Sequence, residues 1–223
     1  MTSESHVLFI GDSITDCGRM SLLRPLGDGF VSIIGSRLKK REIKCRITNR
    51  GVGGDRIADM ASRWKEDCLD VHPTIISILI GINDTWRRYD NGIETSINAF
   101  EEHFHNIIDR TITAFKPELV FCEPFLLPLS DEQKLWHIDL DPKRRMVRGL
   151  AQEYGAVFVP LQEAFSAAAA KYGCTTLVTD GVHPTRKGHE LIADTWFREV
   201  QDDVFSGKGS QVPVHAEVTV YTV

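Results

Sequence analysis

Four apolar residues, Val7-Leu8-Phe9-Ile10, run without interruption into Gly11-Asp12-Ser13. An apolar run this short, closed by glycine, reads as a strand covered on both faces. The pattern recurs along the chain. Ile43 to Thr48 alternates, Thr74 to Ile80 is the most apolar strand, and Leu119 to Pro124 and Ala156 to Pro160 complete the set. Helical spacing fills the gaps: Phe30 to Leu38, Ile57 to Cys68, Ile93 to Phe115, a segment opened by Asp141-Pro142, Glu163 to Tyr172, and one marked by Leu191, Ile192, Thr195 and Trp196. Strands that alternate with helices predict an α/β fold, here a five-stranded parallel sheet between helices. A serine just beyond the first strand then lies on the rim where open α/β sheets hold ligands. Gly11 lets the backbone turn, and Asp12 can bond back onto nearby N–H groups. A solvated turn serine is the competing reading of this stretch, and the deciding residues lie far downstream.

The bulk properties narrow the classes. With 223 residues and 42% hydrophobic composition, the chain can bury a full core as one domain, residues 1–205. A formal net charge of −5 without a long basic run argues against a nucleic-acid partner. The short cluster from Arg37 to Arg41 fits the solvated end of a helix. No apolar stretch reaches the roughly eighteen residues of a membrane span, and Met1 to His6 lacks the basic start of a signal peptide. Five cysteines, never spaced C-x-x-C, argue against a disulfide framework or a structural zinc site and for reduced thiols in the cytoplasm. His103 and His105 are two apart on a helix and point to opposite sides, so no metal is expected there. No cofactor is expected either. Residues 206–223 differ in character. Ser206-Gly207-Lys208-Gly209-Ser210 reads as a linker, and Val212, Val214, Ala216, Val218 and Val220 then alternate with other residues. That period predicts an extra half-buried strand, paired at an edge of its own sheet or a neighbour's.

Four polar groups follow strands or precede helices on what must be one rim: Ser13, the turn from Gly51 to Gly54, Asn83, and the loop Asp180-Gly181-Val182-His183. A serine alcohol is a weak nucleophile at neutral pH and needs a base, commonly a histidine oriented by a carboxylate. A developing oxyanion needs fixed donors, which the serine N–H, a glycine-turn N–H and a side-chain amide can supply. The chain has one candidate for each part. The three glycines also suit a plain flexible loop, and they do not form a nucleotide fingerprint.

In order and spacing, Gly11-Asp12-Ser13-Ile14, Asn49 to Asp55, Gly81-Ile82-Asn83-Asp84 and Asp180-Gly181-Val182-His183 resemble the four sequence blocks of the SGNH (GDSL-type) hydrolases. Each block alone is a weak motif; four in order, across nearly the whole chain, are specific. The resemblance implies a three-layer, flavodoxin-like fold with Ser13 as nucleophile, His183 as base and Asp180 orienting it. It implies an oxyanion hole of the Ser13 and Gly54 N–H groups and the Asn83 side chain, with Gly51 and Gly53 the alternatives to Gly54. Ile14 stands where leucine is usual.

Longer strings are similar to the small intracellular acetylxylan esterases of bacteria: residues 11–19, Arg63-Trp64-Lys65-Glu66-Asp67, residues 81–90, and Asp141-Pro142-Lys143-Arg144-Arg145. This implies removal of acetyl groups from xylo-oligosaccharides, a homo-oligomer, and small acetylated sugars or esters as substrates. Trp86, just past Asn83, reads as a platform for a sugar ring, a wall for the acetyl methyl, or a packing aromatic. Asp12 is grouped with it on the substrate side. Thr179 departs from the esterases, which tend to carry an aromatic there, and the tail lies outside the resemblance. Two other readings compete: a lysophospholipase or thioesterase, which would want an apolar groove, and a catalytically silent sugar-binding module.

Overall fold

The computed structural model describes residues 5–20, 24–200 and 204–205. The alternating tail and its predicted strand lie outside the described residues. Along the chain run β1 (Ser5–Gly11), α1 (Ser13–Asp16), α2 (Phe30–Lys40), β2 (Cys45–Gly51), α3 (Ile57–Ser62), a π-turn (Lys65–Leu69), β3 (Ile75–Leu79), α4 (Ile82–Asn91) and α5 (Ile97–Ala114). Then follow β4 (Glu118–Cys122), α6 (Asp131–Leu135), α7 (His137–Glu153), β5 (Val157–Val159), α8 (Leu161–Tyr172), a 3₁₀ turn (Cys174–Thr176) and α9 (Arg186–Glu199).

All described strand pairs are parallel, in the order β2-β1-β3-β4-β5. β1 takes β2 on one side, with Gly11 opposite Gly51, and β3 on the other, with Gly11 opposite Leu79. The chain therefore changes direction across the sheet between β1 and β3, which opens a crevice at their carboxyl ends. Ser13 follows one of these strands and Asn83 the other.

Strand alternation supplies two cores. Val7 and Phe9 of β1, with Ile75, Leu79 and Val120, face one layer made of α2, α8 and α9. Leu8 and Ile10, with Ile76, Ile78, Leu119 and Phe121, face the other, made of α3, α5 and α7. A sheet buried on both faces needs apolar residues at successive positions, which is why these strands read as continuous runs. Fully burying one such side chain is worth about 1.5–3 kcal/mol. Two fully buried indoles keep their N–H bonded: Trp64 donates to Thr111 at 2.9 Å and Trp196 to Ser77 at 3.1 Å.

The five strands and the layered architecture are those the sequence predicts; several boundaries differ. The helix expected over 57–68 stops at Ser62 and gives way to the π-turn. Ile93 is 47% exposed, and α5 begins later, where Ser96 Oγ accepts the Ala99 N–H at 3.2 Å. Asp141-Pro142 does not open a helix, because α7 already starts at His137 and Pro142 lies inside it. A proline there removes one intrahelical donor, and the residue four before it, Ile138, faces outward with its backbone near water. Helix α4, Ile82–Asn91, is a further element that the sequence reading does not expect. Its first turn is buried, from Ile82 to Thr85, and past it Trp86 and Tyr89 pack half-buried on the core among charged residues.

Candidate active site

Ser13 stands at the first position of α1, directly after the β1 strand. Asp12 caps that helix, its Oδ1 accepting the Ile14 N–H at 2.9 Å. Ser13 Oγ lies 2.9 Å from His183 Nε2, and His183 Nδ1 lies 2.6 Å from Asp180 Oδ2. A ring nitrogen that close to a carboxylate carries the proton, which leaves Nε2 as acceptor for the serine hydroxyl. The Asp180 carboxylate also accepts the Val182 and His183 N–H groups through Oδ1, at 3.0 and 2.7 Å. Partial burial opposes its ionisation, but the hydrogen bonds from His183 and Val182 outweigh burial and hold Asp180 below the usual carboxylate range. The three residues named from the sequence thus form one hydrogen-bonded chain across 170 positions of sequence.

The candidate oxyanion donors come from other elements, α4 and the turn after β2. Asn83, 4% exposed at the start of α4, donates one amide hydrogen to the Asp55 carbonyl at 3.1 Å. That bond fixes the amide plane and leaves the second hydrogen for another acceptor. Among the three glycines, the Gly51 N–H is already given to Asn49 Oδ1 at 2.8 Å, and Gly51 packs against the α1 backbone at Asp16. Gly51 is thereby removed as an oxyanion donor. Gly53 faces the Ser13 Cβ, and Gly54 is exposed at φ +86°. Trp86 is half-buried, with its ring 5.8 Å from that of His183 and 5.5 Å from that of Trp136, and the Arg87 guanidinium lies over it.

Asp12 needs correction. It is completely buried, so it offers no surface to a substrate, and its role is to cap α1 from beneath. Burial, aided by the nearby carboxylates of Asp84 and Asp55 and opposed by the Ile14 N–H, pushes its carboxyl up to about 7. Asp84 is likewise pushed up by burial to about 6; its Oδ2 accepts the Ile57 N–H at 3.0 Å. A carboxyl whose folded value is raised binds a proton that the unfolded chain releases. Stability therefore falls as pH rises between about 4 and about 7. Asp12→Asn keeps an acceptor for Ile14 and cannot titrate. It is expected to gain on wild type by on the order of 2–3 kcal/mol between pH 5 and pH 8 in urea denaturation. An identical gap at both pH values would mean that Asp12 does not titrate there.

Two residues carry structural weight that sequence reading missed. Arg63 ties the rim together: it donates to Asp55 at 2.7 Å, to the Arg50 carbonyl at 2.9 Å, to the Gly11 carbonyl at 3.2 Å and to Asp67 at 2.6 Å. Its neighbourhood was noticed as a string, but partners up to 52 positions away are invisible in sequence. Gln133 on α6 bonds the Asp180 carbonyl and carries no sequence signal at all. Among the described residues no group of three His, Cys, Asp or Glu side chains could hold a metal ion. No helix of the described residues is long and apolar enough to cross a membrane.

Residues 9–191 match the sequence model of the GDSL-like Lipase/Acylhydrolase family. The chain is 32% identical to an acetylxylan esterase from Geobacillus stearothermophilus over 211 residues, covering 89% of this chain and 94% of that protein. The crystal structure of that organism's acetylxylan esterase Axe2 superposes with a TM-score of 0.80 at 32% identity, covering 89% of this chain and 96% of the other. LAE5, an alpha/beta hydrolase enzyme from the metagenome of Lake Arreo in Spain, is 26% identical with a TM-score of 0.78, over 87% of this chain and 94% of its own.

Proposed function

From the premise that this chain belongs to the GDSL-like lipase/acylhydrolase family and is a carboxylic ester hydrolase, we propose that it removes O-acetyl groups from xylo-oligosaccharide-like carbohydrates through a Ser13–His183–Asp180 acyl-enzyme mechanism. The observation that carries the mechanism is the unbroken chain of hydrogen bonds from Ser13 Oγ to His183 at 2.9 Å and from His183 to Asp180 at 2.6 Å. Ser13 attacks the acetyl carbonyl while His183 Nε2 takes its proton. The tetrahedral oxyanion is held by the Ser13 N–H, the Gly54 N–H and the free hydrogen of Asn83. His183 returns the proton to the departing sugar oxygen, which leaves an acetyl-serine. Water activated by the same imidazole then releases acetate and restores Ser13. Asp180 stays ionised throughout and stabilises the imidazolium. Support for the roles of serine and aspartate comes from two solved variants of the Geobacillus esterase described as catalytic mutants, one at a serine and one at an aspartate, each replaced by alanine.

The acetyl preference rests on the aromatic wall. Trp86 stands beside His183 and is backed by Trp136, which stacks on Tyr89 at 5.6 Å. An aromatic wall beside the base supports a short acyl group, and no long apolar groove is evident in the sequence. Acetylated xylo-oligosaccharide and p-nitrophenyl acetate are expected to be cleaved at least tenfold faster, by kcat/KM, than p-nitrophenyl octanoate. In an apolar site the six extra methylenes would instead favour octanoyl by up to about 5 kcal/mol. A clear octanoyl preference in that release assay would turn the assignment to a lysophospholipase or thioesterase.

A further inference from the structure

We infer that Gln133, on the short helix α6, is a positioning residue for the acid–base loop; this rests on the proposed Ser13–His183–Asp180 mechanism. The loop closes on itself through the Thr179 N–H bonded to the His183 carbonyl at 2.9 Å and the Val178–Pro184 bridge. Those bonds secure its two ends. Between them, the two peptides that follow Asp180, the second of which carries the Val182 N–H donor to its carboxylate, are gripped from outside by residues 127–133. Gln133 Nε2 donates to the Asp180 carbonyl at 2.6 Å, and the Leu127 N–H donates to the Gly181 carbonyl at 2.9 Å. Gln133 Oε1 accepts the Leu129 N–H at 2.8 Å. Only one orientation of the amide satisfies both bonds, because a flipped amide would set oxygen against the carbonyl and NH₂ against the N–H.

The fit at Gly181 is steric as well. A Cβ at Gly181 would lie 2.6, 2.9 and 3.0 Å from the Oε1, Nε2 and Cδ of Gln133, so the amide occupies the space a side chain would need. Gly181 also adopts φ +93°, a conformation other residues resist. Gln133 holds the 180–181 peptide, next to the Asp180 side chain, and Leu127 holds the 181–182 peptide, whose Val182 N–H points at Asp180 Oδ1; the His183 N–H joins it there, and Oδ2 faces the imidazole. The far end of α6 is tied to the donor side of the site. The Leu135 carbonyl accepts the Tyr89 hydroxyl at 2.8 Å, and Trp136 packs on Trp86 and Tyr89 of α4. Helix α4 also carries Asn83. Gln133 therefore sets where the base stands relative to the donors without touching substrate itself.

Two variants test this. Gln133→Met keeps the length and removes both hydrogen bonds; Gln133→Glu keeps the acceptor for Leu129 and turns a carboxylate oxygen toward the Asp180 carbonyl. Both are expected to lower kcat for p-nitrophenyl acetate by roughly ten- to a hundredfold, with KM within about twofold, because small misplacement of catalytic groups costs rate rather than binding. Gln133→Glu should be the worse of the two. Rates are referred to Ser13 sites titrated with a fluorophosphonate, so unfolded protein does not count. The second readout is the low-field proton resonance of the His183 Nδ1–H bond to Asp180, expected to shift or broaden in both variants. Wild-type kcat per titrated site and an unmoved resonance would overturn the inference, as would a loss confined to thermal stability. Ser13→Ala separates the two levels. If it stays active, the underlying mechanism is wrong; if it is inactive while both Gln133 variants keep full rate, only the positioning role is lost.

Discussion

Ser13→Ala is expected to lower the turnover of acetyl esters by on the order of a millionfold and to leave the melting temperature within a few degrees of wild type. The side chain is needed only for its oxygen. Ser13 is half-buried, its Oγ bonds His183, and no part of either core rests on it. The cap that begins α1 comes from Asp12, and an alanine at position 13 keeps the backbone N–H proposed for the oxyanion hole. Without the nucleophile, the remaining donors can still favour attack by water. A residual acceleration of about 10³–10⁴ over the uncatalysed reaction is therefore expected. A steady-state assay with p-nitrophenyl acetate, alongside a thermal melt, checks both halves. If the variant retained more than a few per cent of wild-type turnover, Ser13 would be a bystander and the mechanism would need another nucleophile.

The sheet was legible because it is buried on both faces. Residues Val7 to Ile10 and Ile75 to Ile80 must be apolar at nearly every position, and a short apolar run has few alternatives. Helix α4 was not legible for the opposite reason. It sits on the rim, its first turn is buried, and past that only Trp86 and Tyr89 pack half-buried on the core among charged residues, a stripe too short to stand out. Pro142 misled in a different way: a proline after aspartate is a common helix start, but the chain entering α7 already had Trp136 buried against Trp86 and Tyr89, and that contact sets the helix earlier. Tertiary packing there overrode a local signal.

In the candidate site, the residues that the structure brings together were legible and their supports were not. Ser13 and Asn83 sit in the first turn of a helix just past a buried strand, and Asp180 and His183 in a tight loop, where polar residues stand out against an apolar background. Asp12 shared that background and was placed on the substrate side, although sequence cannot tell a carboxylate facing up from one facing down. The turn direction after Gly11 buries it. Arg63 and Gln133 act through carbonyl oxygens of distant loops, and a backbone carbonyl leaves no mark on the residue type that provides it.

Asn83→Ala is expected to reduce kcat by roughly a hundred- to a thousandfold with little change in KM for a small ester. A neutral acetyl carbonyl gains little from one more donor in the ground state. The same donor matters when the oxygen takes up charge in a site shielded from water, where losing it costs about 2.7–4 kcal/mol of transition-state stabilisation. The proposed use fits what surrounds Asn83: its first amide hydrogen is held by the Asp55 carbonyl at 3.1 Å, and its backbone sits in the buried first turn of α4. The substitution also removes the bond to Asp55, a loss of about 1 kcal/mol in stability that a melt reads separately. That loss is too small to account for a hundredfold fall in rate, since a protein this size would remain folded. The decisive measurement is therefore the split between kcat and KM on p-nitrophenyl acetate. Unchanged kcat with a raised KM would make Asn83 a contact to the bound ester, and the oxyanion would then have to be held by the N–H groups of Ser13 and the glycine turn alone.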